Sequence, residues 1–266
     1  MSKADSLYLA AQYFEASIEY ERLIFHAKDA QELNYSKYCK ALCFKQMKDF
    51  ARSVEELQTI YFTDANDSLF QRVCYEQSLC HYLNGEPAKA LWKIDEYFRR
   101  SNDSTTFEVF LPIRLFSLND TQRWDDAKSC FIQYIKMQDL SPEKQLKLIE
   151  KVDSLYAKKN RPKMRSAEKA ENWSRFIPGA GQIYAGETGE GIINLLINSS
   201  ILVFAGHQVL NRYYITGYLA GLGLFNKTYH GGMKRAATLA SQKNEALLSD
   251  FNSKIRSMIV RDIYQE

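Results

Sequence analysis

The sequence predicts an all-α chain in three parts: a stack of helix hairpins, a short transmembrane helical hairpin and an amphipathic C-terminal helix. Three observations carry this expectation. Small and apolar residues recur with a 37-residue period through the first half of the chain. Two uncharged segments containing Gly follow, Gly191 to Asn211 and Tyr213 to Asn226, separated by Arg212. Only 12 Gly and 5 Pro occur in 266 residues, among long Ala, Leu, Glu, Lys and Gln stretches, which favours helix. The implied boundaries are 1–160 for the stack with a capping helix, 161–176 for a basic linker, 177–232 for the hairpin and 233–266 for the last helix.

The repeat defines the first part. Tyr13, Phe50, Pro87 and Trp124 stand 37 residues apart. Three residues on, Ala16, Ser53, Ala90 and Ala127 are all small. Tyr20, Leu57, Ile94 and Phe131 come next, then Leu23, Ile60, Tyr97 and Tyr134. These offsets trace one face of a helix. Upstream of each copy lie Ala4, Ala41, Ser78 and Leu115, followed by Leu7, Phe44, His81 and Leu118. The physical reading is a stack in which small residues let paired helices approach and aromatics fill the gaps between neighbouring pairs.

The pattern resembles the tetratricopeptide repeat over roughly residues 3–138. The aromatic, small and two apolar positions of that repeat's second helix match Tyr13, Ala16, Tyr20 and Leu23 and their three echoes. The sequence departs from the family in its longer period, in Pro87 at an aromatic position and in Leu115 at a small one. The resemblance implies a groove, formed by the first helices, that binds a protein segment. Lys3, Lys40, Gln77 and Arg114 share one first-helix column and are the candidate contacts; three are cationic, which suits an acidic peptide or a C-terminal carboxylate. An ordinary solvated face is the competing reading of this column. Ser141-Pro142 then reads as an N-cap with Pro at the first helical position. The helix after it, with Leu146, Ile149, Val152 and Leu155 as its stripe, caps the stack.

The chain turns basic from Lys158 to Arg175, with Lys158, Lys159, Arg161, Lys163, Arg165, Lys169 and Arg175, a stretch that ends beside Trp173 and Phe176. Cations next to aromatics suit the headgroup zone of a bilayer, and a solvated linker is the plainer reading. The apolar run Gly191 to Gly206 gives about 24 Å of helix against a hydrocarbon core of about 30 Å. In the second segment Gly217 and Gly221 form a GxxxG pair, which permits close helix contact in lipid. Asn194 and Asn198 share a helix face and suit hydrogen bonding between the paired helices. A buried helix pair in a soluble domain fits these lengths as well.

Pro178, Gly179, Gly181, Gln182 and Tyr184 stand in a P-G-x-G-Q-x-Y string. The string resembles the signature of a family of bacterial two-helix membrane domains, over roughly residues 174–235, and implies a Gly-rich turn leading into a membrane hairpin. After it, Leu248, Phe251, Ile255, Met258 and Ile259 form an amphipathic stripe. Such a helix lies on a membrane, binds a partner helix or packs back onto its own chain.

No residues assemble a catalytic, cofactor or metal site. Gly179-Ala180-Gly181 lacks the preceding strand and third glycine of a phosphate loop. His230-Gly231-Gly232 has no G-x-S-x-G nucleophile elsewhere to serve. His81 occupies an apolar column, and Cys43 and Cys80 share a small-residue column, so packing explains them. There is no zinc spacing among the 5 cysteines. A net charge of +3 gives no nucleic-acid signature, and no small-molecule substrate is implied.

The expected function is that of a non-enzymatic membrane-anchored adaptor or scaffold of a bacterial envelope, with a protein partner and the lipid bilayer as its contacts. The alternatives are a structural subunit of an envelope complex that associates through the hairpin, and a soluble helical protein. Cations flank the hairpin on both sides, so the positive-inside rule puts the repeats on the cytoplasmic face of an inner membrane. A removed leader peptide would instead put them in the periplasm.

Overall fold

A computed structural model describes residues 2–62, 68–101 and 107–264. It is all-helical, and no strand occurs among the described residues. The chain divides into two compact units, Met1–Arg161 with Arg261–Glu266, and Pro162–Val260.

The first unit contains α1 (Lys3–Leu9), α2 (Tyr13–His26), α3 (Ala30–Gln46), α4 (Phe50–Gln58), α5 (Ser68–Leu83), α6 (Pro87–Ser101), α7 (Phe107–Asp120), α8 (Trp124–Met137) and α9 (Pro142–Leu155). Each helix packs on the one before and the one after it in the chain, and α3 also meets α5, and α5 meets α7. Ala16, Ala90 and Ala127 are fully buried and Ser53 nearly so. Ala4, Ala41, Ser78 and Leu115 are equally inaccessible. The two columns touch where Ser53 Oγ donates to the Ala41 carbonyl at 2.9 Å. Small side chains fit there because the paired helices approach closely.

The turn between paired helices also repeats. Ala11, Lys48, Gly85 and Gln122, again 37 residues apart, are left-handed, with φ of 58°, 62°, 76° and 60°. Behind each, the N–H of Gln12, Asp49, Glu86 or Arg123 returns to the carbonyl of Leu7, Phe44, His81 or Leu118 at 2.8–3.0 Å. This is the Schellman closure of a helix C-terminus. The next residue, Tyr13, Phe50, Pro87 or Trp124, opens the second helix. Pro87 fits because the first helical position needs no N–H.

Ser141 caps α9 as expected, its Oγ accepting from Lys144 N at 3.3 Å. The buried stripe of α9 is Leu148 and Val152, continued by Tyr156, while Leu146 is exposed. Tyr156 anchors this end by donating to Asn119 Oδ1 at 2.8 Å. Of the expected stripe, Val152 is fully buried and Ile149 and Leu155 are half-buried.

The second unit contains α10 (Ala167–Phe176), α11 (Ala180–Ala185), α12 (Thr188–Leu210), α13 (Tyr214–Thr216), a π-helical stretch Gly217–Leu222 and α14 (Gly223–Met258). A final π-helical stretch, Ile259–Tyr264, ends the described chain. Much of the expected linker is thus helix: Ser166 Oγ caps α10 by accepting from Lys169 N at 3.1 Å, and Ala170 and Ser174 are buried. The α10 helix packs on α14 and α11, around Ala170, Ala185, Ala236, Leu239 and Ala240. Residue 232, the expected end of the hairpin, lies inside α14, so the return limb and the C-terminal helix are one element. Within the amphipathic stripe, Phe251 and Ile255 are buried.

Candidate functional site

The P-G-x-G-Q-x-Y residues build the joint that launches α12. Ala180 N returns to the Ile177 carbonyl at 3.0 Å, with Pro178 and Gly179 at the corner. Gly179, at φ 95° and ψ −21°, takes the conformation that a type II turn reserves for glycine. A methyl group there would also strike the Gly191 backbone, with its carbonyl carbon 2.9 Å away. At Gly181 it would strike the Ala170 carbonyl of α10. Both glycines are therefore demanded by backbone approach, one to α12 and one to α10.

Gln182 is almost fully buried. Its Nε2 donates to the Gly232 carbonyl of α14 at 3.0 Å, and its Oε1 accepts from Ser174 Oγ at 3.1 Å. Ser174 Oγ accepts in turn from Gly181 N at 3.1 Å. One side chain so ties α11 to both α10 and α14, with its amide satisfied on both ends. Tyr184 closes the joint: its hydroxyl accepts from Ser166 N at 3.2 Å, and its carbonyl accepts from the Arg165 guanidinium. Asn244 of α14 pairs with the Arg165 backbone in both directions, at 2.8 and 2.7 Å.

Beyond the joint, α12 and the chain after it form an antiparallel pair. Arg212, at φ 66°, makes the turn, with Tyr213 N returning to the Gln208 carbonyl at 2.9 Å. This is the same closure used four times in the first unit. Polar and small groups line the inside of the pair. Asn198 Nδ2 donates to Asn194 Oδ1 at 3.0 Å, and Thr228 donates across the pair to Asn198 Oδ1 at 2.9 Å. Gly232 sits against the Asn194 amide, Gly217 against Ala205 and Val209, and Gly221 against Ala205. The structure thus brings Asn194, Asn198, Gly217 and Gly221 together, and all four are occupied within the hairpin itself. At its base Arg235 holds Glu190 with two bonds of 3.0 and 2.7 Å.

Large apolar side chains cover the outside. Ile193, Leu196, Val203, Leu210, Ile215 and Leu219 range from 59% to 84% exposed. Among the described residues α12 is the one helix long and apolar enough to cross a membrane, and only 11% of its most apolar window is buried. The return limb is apolar from Tyr213 to Phe225 and then carries the exposed Asn226, Lys227 and His230.

The repeat column Lys3, Lys40, Gln77 and Arg114 is engaged by neighbouring helices. Lys3 meets Glu19 at 2.9 Å. Lys40 meets Glu21 at 2.6 Å and Glu56 at 2.8 Å. Gln77 is buried and donates to the Leu57 carbonyl at 3.0 Å. Arg114 meets Asp95 at 2.7 Å. Their cationic and amide groups cross-link successive helices.

Two adjoining hollows on the first helices are lined by residues other than the expected column Lys3, Lys40, Gln77 and Arg114. One, of about 290 Å³, is lined by Asp5, Tyr8, Tyr20, Tyr35, Tyr38 and Arg72 among others. The other, of about 520 Å³, shares Tyr35 and Arg72 and continues along α3 and α5. Asp5 accepts from Ser2 N and the Tyr20 hydroxyl, each at 2.8 Å. The Ser2 amide and then that hydroxyl hold its carboxyl below the usual range. Arg72 is exposed and makes no ion pair among the described residues. The same period marks this face, since Tyr35 and Arg72, like Tyr38 and Tyr75, are 37 residues apart.

All five cysteines are buried and unbridged. Burial pushes the thiols of Cys43, Cys74 and Cys130 up to about 12, which keeps them protonated and unreactive near neutral pH. His81 Nδ1 bonds Glu86 Oε2 at 2.8 Å, which satisfies a polar ring in an apolar column. Comparison of the chain with family models, curated proteins and solved structures returns no match.

Proposed function

We propose that the chain is a non-enzymatic, membrane-anchored interaction protein of a bacterial envelope, in which a tetratricopeptide-like stack presents a binding groove and the α12 hairpin holds it at a bilayer. The carrying observation is the inverted burial of the hairpin. The amides of Asn194 and Asn198, the Thr228 hydroxyl and Gly217, Gly221 and Gly232 face inward, while most of the isoleucine, leucine and valine side chains and Tyr213, Tyr214 and Tyr218 face outward. A helix pair from a soluble core has the opposite distribution. Contiguous exposed apolar area of this extent marks a surface meant for lipid or protein, and satisfied polar groups on the inside are what a hydrocarbon solvent requires.

Two features support the repeat reading: inaccessible small columns and a turn that recurs at one period. The hollow between α1, α3 and α5 suits an extended protein segment, with Tyr8, Tyr35 and Tyr38 supplying stacking area and the exposed Arg72 a cation for a carboxylate.

Fractionation of cells expressing the full chain, and a variant lacking residues 176–232, tests the anchor. The full chain is expected in the membrane fraction and the variant in the soluble one. Recovery of the full chain without detergent favours the soluble alternative. The side is tested separately. The excess of cations at the hairpin base over Arg212 at its tip supports, by the positive-inside rule, a cytoplasmic side for the repeats. Because the native thiols are buried, Tyr213→Cys supplies the probe. An impermeant maleimide is expected to label it in intact spheroplasts, and labelling only after lysis reverses the topology.

A further inference from the structure

We propose that α10 and the turn after it form a second lipid contact, a collar that seats in the near leaflet of the bilayer holding the hairpin. The proposal rests on the membrane reading above and adds a surface outside the hairpin. Trp173, Phe176, Ile177 and Ile183 are 54%, 81%, 53% and 46% exposed. Their apolar surface continues into α12, because Gly191 at its start packs against Ile183 and the Gly179 carbonyl, and the exposed Ile192 and Ile193 follow directly.

The α10 helix also carries a gradient along this face. Lys169, Trp173 and Phe176 follow at helical spacing, with the cation at the end away from the hairpin and the aromatics at the end beside it. An interfacial segment has this order: the ammonium among headgroups, the indole at the boundary and the phenyl ring in the acyl region. Glu168 and Glu171 lie on the same helix, and Glu171 is 3.9 Å from Arg175; both sit toward its N-terminal half.

The hairpin's geometry shows why a collar is needed. The apolar return limb from Tyr213 to Phe225 provides about 20 Å of helix, some 10 Å less than a hydrocarbon core of about 30 Å. Tyr229 donates to the Arg175 carbonyl at 2.6 Å, which fixes the end of α10 beside the stretch where the return limb turns polar. The collar supplies apolar surface at that level, and Ile183 carries it on to the start of α12. A bilayer is the occupant that matches, because it must already surround the adjoining face of α12.

The full chain carrying Trp92→Phe and Trp124→Phe keeps Trp173 as its one indole and is reconstituted into phosphatidylcholine–phosphatidylglycerol vesicles. Flotation reports the anchor, and Trp173 emission in vesicles of lipids brominated near the carbonyl or near the chain end reports the collar. Flotation with loss of emission strongest from the shallow label is expected, and Phe176→Glu should reduce that loss while the chain still floats. Flotation with no loss, or with the deep label strongest, overturns the collar and leaves the anchor standing. Failure to float overturns both.

Discussion

Gly221 packs closely on Ala205 across the hairpin: a methyl group at Gly221 would overlap the Ala205 side chain and lie 2.9 Å from its Cα. Gly221→Ala therefore forces the limbs apart and should destabilise the hairpin by about 1–3 kcal/mol. Ala205→Gly in that background should restore most of the loss. Urea unfolding in detergent micelles, run as a double-mutant cycle, measures the coupling, and additive losses would contradict the contact.

The four left-handed turn residues of the first unit invite the opposite kind of change. Ala11, Lys48 and Gln122 hold φ near 60° with a side chain present, where Gly85 has none. Each replacement by glycine should raise stability by about 0.5–1 kcal/mol, because relief of left-handed strain exceeds the added chain entropy. Gly85→Ala, which meets no neighbouring atom, should lower it by a similar amount. Thermal unfolding of the four single variants tests the sign.

Glu86 gives the first unit an acid-sensitive tie. Lys89, then His81, draws its carboxyl from an ordinary 4.5 down to about 2. A carboxylate depressed on folding stabilises fully above its ordinary value and loses that effect as pH falls toward the folded one. Stability should thus decline between about pH 4.5 and 2. In Glu86→Gln the decline in this window should be shallower, measured by denaturant midpoints at each pH.

Gln182→Leu leaves the Gly232 carbonyl and the Ser174 hydroxyl without their buried partner. A cost of about 1–3 kcal/mol is expected, with faster amide exchange in α10 and α11 as the local readout. Unchanged exchange there would remove the proposed tie.

The columns Ala16–Ser53–Ala90–Ala127 and Ala4–Ala41–Ser78–Leu115 were legible because burial constrains size at one spacing. The turn was hidden because Ala, Lys, Gly and Gln share no composition, and only φ unites them. The glycines of the joint were visible as a string, but Gly179 and Gly181 answer to Gly191 and Ala170, which sequence does not pair with them. The groove was expected on the first helices, yet the columnar cations Lys3, Lys40 and Arg114 found carboxylates on adjacent helices. Arg72, in the Tyr35 column, meets none among the described residues. Charge at a repeat position reports a regular environment, and only three dimensions tell a tie from an open site.

The outward apolar face of the hairpin is tested most directly by photolabelling from a lipid whose acyl chain carries a diazirine, with adducts mapped by mass spectrometry on the full chain in vesicles. Adducts are expected on Ile193, Leu196, Val203, Ile215 and Leu219, with Asn198, Ala205, Gly217 and Gly221 unmodified. Absence of adducts across residues 192–224, or equal labelling of both sets, would contradict a hairpin that meets lipid with its apolar face.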